Sequence, residues 1–227
     1  MAVLDAEPGP IEIDPGSTAV LMIDMQRDFL EPGGFGAALG NDVALLGRVV
    51  APCQALLALA RTCGIAVLHT REGHRPDMMD APRAKVERSP KGLRIGDPGP
   101  MGRILIRGEP GHDIIPELAP LDSEPVIDKP GKGAFYQTDL ESMLRNRGID
   151  TLLVAGVTTE VCVHTTVREA NDRGLRCVVI GDCCGSYFPH FHATALEMVA
   201  AQGGDLGGIF GWVSEVASLR RAFAAGG

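Results

Sequence analysis

Residues 151–182, TLLVAGVTTEVCVHTTVREANDRGLRCVVIGD, decide the fold. Their two ends, Thr151–Val157 and Cys177–Asp182, are apolar almost throughout, without the alternation of a half-exposed strand. Such runs read as strands buried on both faces, as in a parallel sheet. Between them, Val161–Arg173 has apolar residues at helical spacing and is closed by Gly174, a helix C-cap signal. A strand, helix and strand of this kind form a right-handed crossover between parallel neighbours.

The same alternation extends in both directions. Thr18–Met25 (TAVLMIDM), Ile65–Thr70 (IAVLHT), Pro125–Lys129 (PVIDK) and Ile209–Val213 read as strands. Asp42–Cys63, Thr138–Arg147 and His192–Gln202 read as helices, each followed by glycine, and Val216–Ala224 as a final helix. The expected fold is α/β: a single domain over residues 1–227, a three-layer α/β/α sandwich around a central, mainly parallel six-stranded sheet. Residues 1–16 are set apart as an N-terminal extension. Residues 73–112, dense in Pro, Gly and Arg, are too long for a plain connector and are expected to be a lid or an interface arm.

Composition narrows the function. With 45% hydrophobic and 22% charged residues the chain is ordinary globular protein. Its net charge is −8 and no Lys/Arg cluster exceeds a pair, which argues against nucleic acid as a partner. The apolar runs fall short of the ~20 residues a membrane helix needs. Met1–Pro15 lacks a basic region followed by an apolar stretch, so a cytoplasmic location is expected. In that setting the six cysteines, at 53, 63, 162, 177, 183 and 184, are expected to be free thiols.

In open parallel sheets ligands sit beyond the carboxyl ends of the strands. Three chemically active residues fall there: Asp24, Lys129 and, five residues past Val157, Cys162. Taken singly, the aspartate reads as a turn former, the lysine as solvated and the cysteine as core. Taken together they allow covalent catalysis. A helix N-terminus and a nearby ammonium are expected to lower the thiol pKa, and a carboxylate can accept and return its proton.

The segments VLMIDMQRDF (20–29), IDKPGKGAF (127–135) and LLVAGVTTEVCVHTTVREANDRG (152–174) resemble the cysteine hydrolase (isochorismatase-like) family. That family includes N-carbamoylsarcosine amidohydrolase, nicotinamidase, ureidoacrylate amidohydrolase, biuret hydrolase and the isochorismatases. The resemblance implies Cys162 as nucleophile, Asp24 as proton acceptor and donor, and Lys129 as the cation holding both, with Lys132 a rival for the lysine role. It also implies a cis peptide at Val157–Thr158 and an oxyanion hole from the Thr158 and Cys162 amides. REGHRPD (71–77) and AAQGG (200–204) look most like biuret hydrolase and its triuret-hydrolysing relatives. On that likeness Phe29, Lys132 and Gln202 are expected to bind a small ureido substrate, with ureidoacrylate, N-carbamoylsarcosine or nicotinamide as alternatives. Isochorismatases lack the cysteine, and a non-catalytic binding module would not need the Asp–Lys–Cys set. The metal-binding Asp-x-His pair of the nicotinamidases is absent from the sequence, so neither metal nor cofactor is expected. A homo-oligomer, dimer or tetramer, is expected from the family. Asp205–Gly208 departs from the pattern of the relatives as an insertion.

Overall fold

Strand β1 (Thr18–Ile23) is buried at every residue and occupies the interior of the sheet. The computed structural model describes residues 1–204 and 207–224. The other strands of the central sheet are β2 (Ala66–Glu72), β3 (Val126–Lys129), β4 (Thr151–Val157), β5 (Arg176–Gly185) and β6 (Trp212–Ser214). Their order is β6-β5-β4-β1-β2-β3, and every pairing is parallel. Successive side chains of β1 serve opposite layers, as the two-residue strand repeat requires. Val20 and Met22 pack with Leu56, Leu57 and Ala60 of helix α1 (Val50–Cys63) and with Leu219 of the C-terminal helix Val216–Ala224. Ala19, Leu21 and Ile23 join Leu140 and Leu144 of α2 (Leu140–Asn146), Val167 and Ala170 of α3 (His164–Asn171), and Val199 of α4 (Pro189–Ala200). This is the three-layer sandwich expected from the sequence.

Several boundaries differ from the sequence reading. Residues 1–16 contain an antiparallel hairpin, Ala2–Leu4 with Ile11–Ile13, whose Leu4 and Ile13 are fully buried. Three-residue strands are too short to show a period. The stretch Asp42–Cys63 forms a short helix, Ala44–Gly47, before α1, which ends at Gly64 with φ 70°. Ala44–Cys63 is apolar enough over 20 residues to span a membrane by composition, which the sequence reading overlooked; here it lies against the sheet. Strand β2 runs two residues beyond Thr70, to Glu72. The last strand begins at Trp212 rather than Ile209, because Gly208 N–H donates to Gly211 O (2.7 Å) in a preceding turn. Of the insertion, Asp205 and Leu206 lie outside the described residues. The 73–112 segment is folded: it contains the short helix Arg83–Val86, and its Ile95, Ile104, Leu105 and Ile106 pack on Phe29 and Phe35. The buried Asp28 carboxylate anchors it by accepting from Leu105 N–H (3.2 Å).

Strand β4 is irregular between Val154 and Gly156. Gly156 has φ 118°, and a Cβ there would collide with the backbone carbonyl of Ile23 on β1. Glycine alone permits both the dihedral and the approach. The contact falls one residue before Asp24.

Candidate active site

Each catalytic candidate stands at the carboxyl rim of the sheet, held by a neighbouring strand. Asp24 follows β1 with φ 51°, turning its carboxylate back over the sheet. Its N–H donates to Thr70 O (3.1 Å), and the Thr70 hydroxyl donates to Asp24 Oδ1 (2.7 Å). Lys129 ends β3 and reaches across β2. Its Nζ lies 2.7 Å from Asp24 Oδ2 and donates to the carbonyls of Gly131 (3.1 Å) and Lys132 (2.9 Å). Both side chains of this ion pair are completely buried. Beyond β4 the Val157–Thr158 peptide is cis, and Thr159–Val163 makes a wide π-type turn before α3. Cys162 sits in that turn rather than in the α-helix, tied by the Thr166 hydroxyl to its carbonyl (2.7 Å).

A fourth residue joins them that the sequence reading did not single out. The Cys162 thiol donates to Glu72 Oε2 at 3.4 Å. Glu72 Oε1 lies 2.8 Å from both Lys132 Nζ and Lys85 Nζ, and Glu72 Oε2 lies 3.9 Å from Lys129 Nζ. Had β2 been read to its true end, the strand-end rule would have found Glu72. Lys85 comes from the short helix in the 73–112 segment, where no periodic signal marks it. Within the site Lys129, not Lys132, is the lysine on Asp24.

Burial and charge compete throughout this cluster. Burial alone would raise Glu72, but Lys129, Lys132 and Lys85 outweigh it and hold the carboxyl well below its ordinary range. Burial alone would lower Lys129, but Asp24, Cys162 and Glu72 outweigh it and raise the ammonium. The Cys162 thiol is pushed well above its ordinary value, first by burial and then by Asp24 and Glu72, against the pull of Lys129 and Lys132. This corrects the expected lowering: desolvation of a fully buried sulfur exceeds the help from nearby ammonium groups. Oxygens of Asp24 and Glu72 and the Cys162 sulfur lie within 4.8 Å of one another. The positive charge among them is supplied by lysine ammonium groups.

A cavity of about 250 Å³ opens onto the sulfur. Phe29 and Lys132 line it, together with Glu72, Thr158, Tyr187 and Phe188. Gln202 does not. Helix α4 begins at the carboxyl rim, where Thr159 Oγ1 meets His192 Nδ1 at 2.8 Å, and its 12 residues run back along the sheet. At 1.5 Å per residue that is about 18 Å. Gln202, two residues past its end, has φ 56° and is exposed. Gln202 is thus not among the residues that line this cavity.

The doubly wound sheet carries a thiol, a carboxylate and an ammonium together on one rim, the set that covalent hydrolysis through cysteine requires. The isochorismatase domain model matches residues 18–209, and the chain belongs to that family. Among its relatives is a ureidoacrylate amidohydrolase, RutB, of Methylobacterium radiotolerans, 33% identical over 97% of this chain and 84% of the relative. Similar solved structures include a cysteine hydrolase from Pseudomonas syringae pv. phaseolicola, with TM-score 0.77, 28% identity, and coverage of 94% of this chain and 95% of that one. An isochorismatase family protein from Desulfovibrio vulgaris gives TM-score 0.74 at 30% identity, covering 92% and 98% of the two chains. The chain is an amidohydrolase of this family. The relatives that the comparisons bring forward are ureidoacrylate amidohydrolases, the alternative in the sequence reading, rather than biuret or triuret hydrolases.

Proposed function

We propose that this protein hydrolyses the terminal C–N bond of a small ureido compound of the ureidoacrylate type, releasing ammonia. The observation that carries the reading is the Cys162 sulfur at the floor of a small cavity, beside the fully buried Asp24–Lys129 pair. Phe29, Leu39, Tyr187 and Phe188 give the cavity apolar walls. These suit a flat conjugated carbon chain better than biuret or triuret, which present almost nothing but polar edges. Lys132, with 39% of its side chain exposed, supplies a cation at the cavity for a substrate carboxylate.

In the proposed reaction Asp24 takes the Cys162 proton as the sulfur attacks the terminal ureido carbonyl. Lys129 stabilises the charge shared between carboxylate and sulfur, and the N–H groups of Thr158 and Cys162 receive the oxyanion. Asp24 then returns the proton to the departing nitrogen, the C–N bond breaks and ammonia leaves. Water cleaves the remaining thioester, giving an N-carboxy product and the free thiol. Ammonia release from ureidoacrylate, biuret, triuret, N-carbamoylsarcosine and nicotinamide tests the assignment. The expected result is highest kcat/KM on ureidoacrylate and loss of turnover in a folded Cys162→Ser variant. Preference for biuret would overturn the substrate, and normal turnover by Cys162→Ser the mechanism.

A further inference from the structure

We infer that Glu72 and Lys85 are paired positioning residues that set whether Cys162 carries its proton, one standing on the sheet rim and the other reaching in from the 73–112 segment. The inference rests on Cys162 being the nucleophile. Glu72 Oε2 is the acceptor of the thiol hydrogen at 3.4 Å, and Glu72 Oε1 is held 2.8 Å from Lys85 Nζ. The Lys85 ammonium is further fixed by donation to Pro130 O (2.6 Å) and a 3.0 Å contact with His74 Nε2. Glu72 is fully buried and the Lys85 side chain 12% exposed, so water screens this pair little. The folded, anchored 73–112 segment thus places one charge directly behind the residue that touches the sulfur.

The other charged and titratable groups around the sulfur come from every neighbouring element. Asp24 stands after β1, Lys129 and Lys132 at and after the end of β3; Glu160, in the same turn as Cys162, and Tyr187, beyond β5, line the same cavity. In the inner cluster, three ammonium groups face two carboxylates; ionising the thiol makes the two signs equal. Removing Glu72 therefore favours the thiolate, and removing Lys85 disfavours it. Opposite signs from two members of one ion pair are what a purely structural role would not produce.

The test is the rate of Cys162 alkylation by iodoacetamide against pH, read by peptide mass with Cys162→Ser as the blank. A charge within ~4–6 Å moves a pKa by about 1–3 units, so the midpoint should fall by about one unit or more in Glu72→Gln. It should rise, by less, in Lys85→Met, and return close to the wild-type value in the double variant. Shifts of the same sign, or no shift in either single variant, would overturn the inference. If Glu72→Gln fails to fold, Lys85→Met and the charge-balanced double variant decide: an upward shift in the first, reversed in the second, supports the inference, and its absence refutes it. Undiminished ammonia release by Cys162→Ser would instead refute the nucleophile assignment, independently of the alkylation midpoints.

Discussion

Replacing Gly156 by alanine should damage stability and activity together, and the structure separates the two causes of the loss. At φ 118° an L-residue is strained, which costs about 1–3 kcal/mol. The added Cβ also meets the carbonyl oxygen, nitrogen and carbonyl carbon of Ile23, none of which can rotate away as a side chain could. Forcing a methyl into such a contact adds about 1–3 kcal/mol. The sum, about 2–6 kcal/mol, is a large part of the 5–15 kcal/mol typical of a domain. At roughly 2–4 °C per kcal/mol it predicts a Tm fall of about 4–24 °C. Relief of the contact must push Ile23, and with it Asp24, whose carboxylate lies 2.7 Å from Lys129 Nζ. A misplacement of about 1 Å costs on the order of 100-fold in rate. Urea and thermal melts, with kcat/KM on the preferred substrate, measure both effects. Gly64→Ala is the control: φ is 70°, but nothing lies within 4 Å of its Cβ position, so only the conformational cost of about 1–2 kcal/mol should appear, with activity kept. Equal losses in the two variants, or wild-type turnover by Gly156→Ala, would refute the reasoning.

Native-state thiol labelling should modify Cys63 first among the non-catalytic cysteines, because it alone among the described cysteines is only partly buried; earlier modification of Cys177, whose burial pushes it up to about 12, would contradict the strand assignment. Gln202→Leu should leave kcat/KM within about twofold of wild type, since the residue is exposed and away from the cavity; a tenfold loss, about 1.4 kcal/mol, would return it to the substrate site. Glu124 is held down at about 2, where the donors of Arg61, Leu121 and His69 outweigh the opposing effect of burial. A depressed carboxyl stabilises above its unfolded value and loses that contribution as pH falls through its folded one, so Glu124→Gln should destabilise at pH 7 and progressively less from pH 4.5 towards 2, as urea melts at stepped pH would show.

Much of the fold was legible because strands buried on both faces announce themselves as unbroken apolar runs, and because glycine marks the helix ends. The strand-end rule reached Asp24, Lys129 and Cys162, which the structure brings together. It stopped short of Glu72 because the last four residues of the strand, His69, Thr70, Arg71 and Glu72, are polar, and the strand was read as ending at Thr70. Each is held in the strand by a side chain far away in sequence: His69 by Glu124, Thr70 by Asp24, Arg71 by Asp128, Glu72 by Lys132. Pairing across roughly fifty residues leaves no local periodic trace. The thiol was misjudged for a related reason: adjacency to a helix start is visible in a sequence, whereas complete desolvation is a property of the assembled layers. Gln202 does not line the cavity, and motif likeness carries no information on the rim to which a crossover delivers a residue.

The strand order also bears on how the chain reaches this state. Strand β1 is synthesised early, yet it is flanked by β2 and by β4, whose first residue, Thr151, pairs with Thr18. Until the ribosome has passed that point, one edge of a strand apolar from Ala19 to Ile23 has no neighbour, and such an edge invites pairing between chains. Closing so long a loop is entropically costly, and topologies rich in distant pairings fold slowly. A message interrupted between the codons for Lys129 and Thr151 would therefore yield a fragment that holds Asp24, Glu72, Lys85 and Lys129 but no partner for that edge. Aggregation, rather than a weakened enzyme, is the fate this architecture assigns to it.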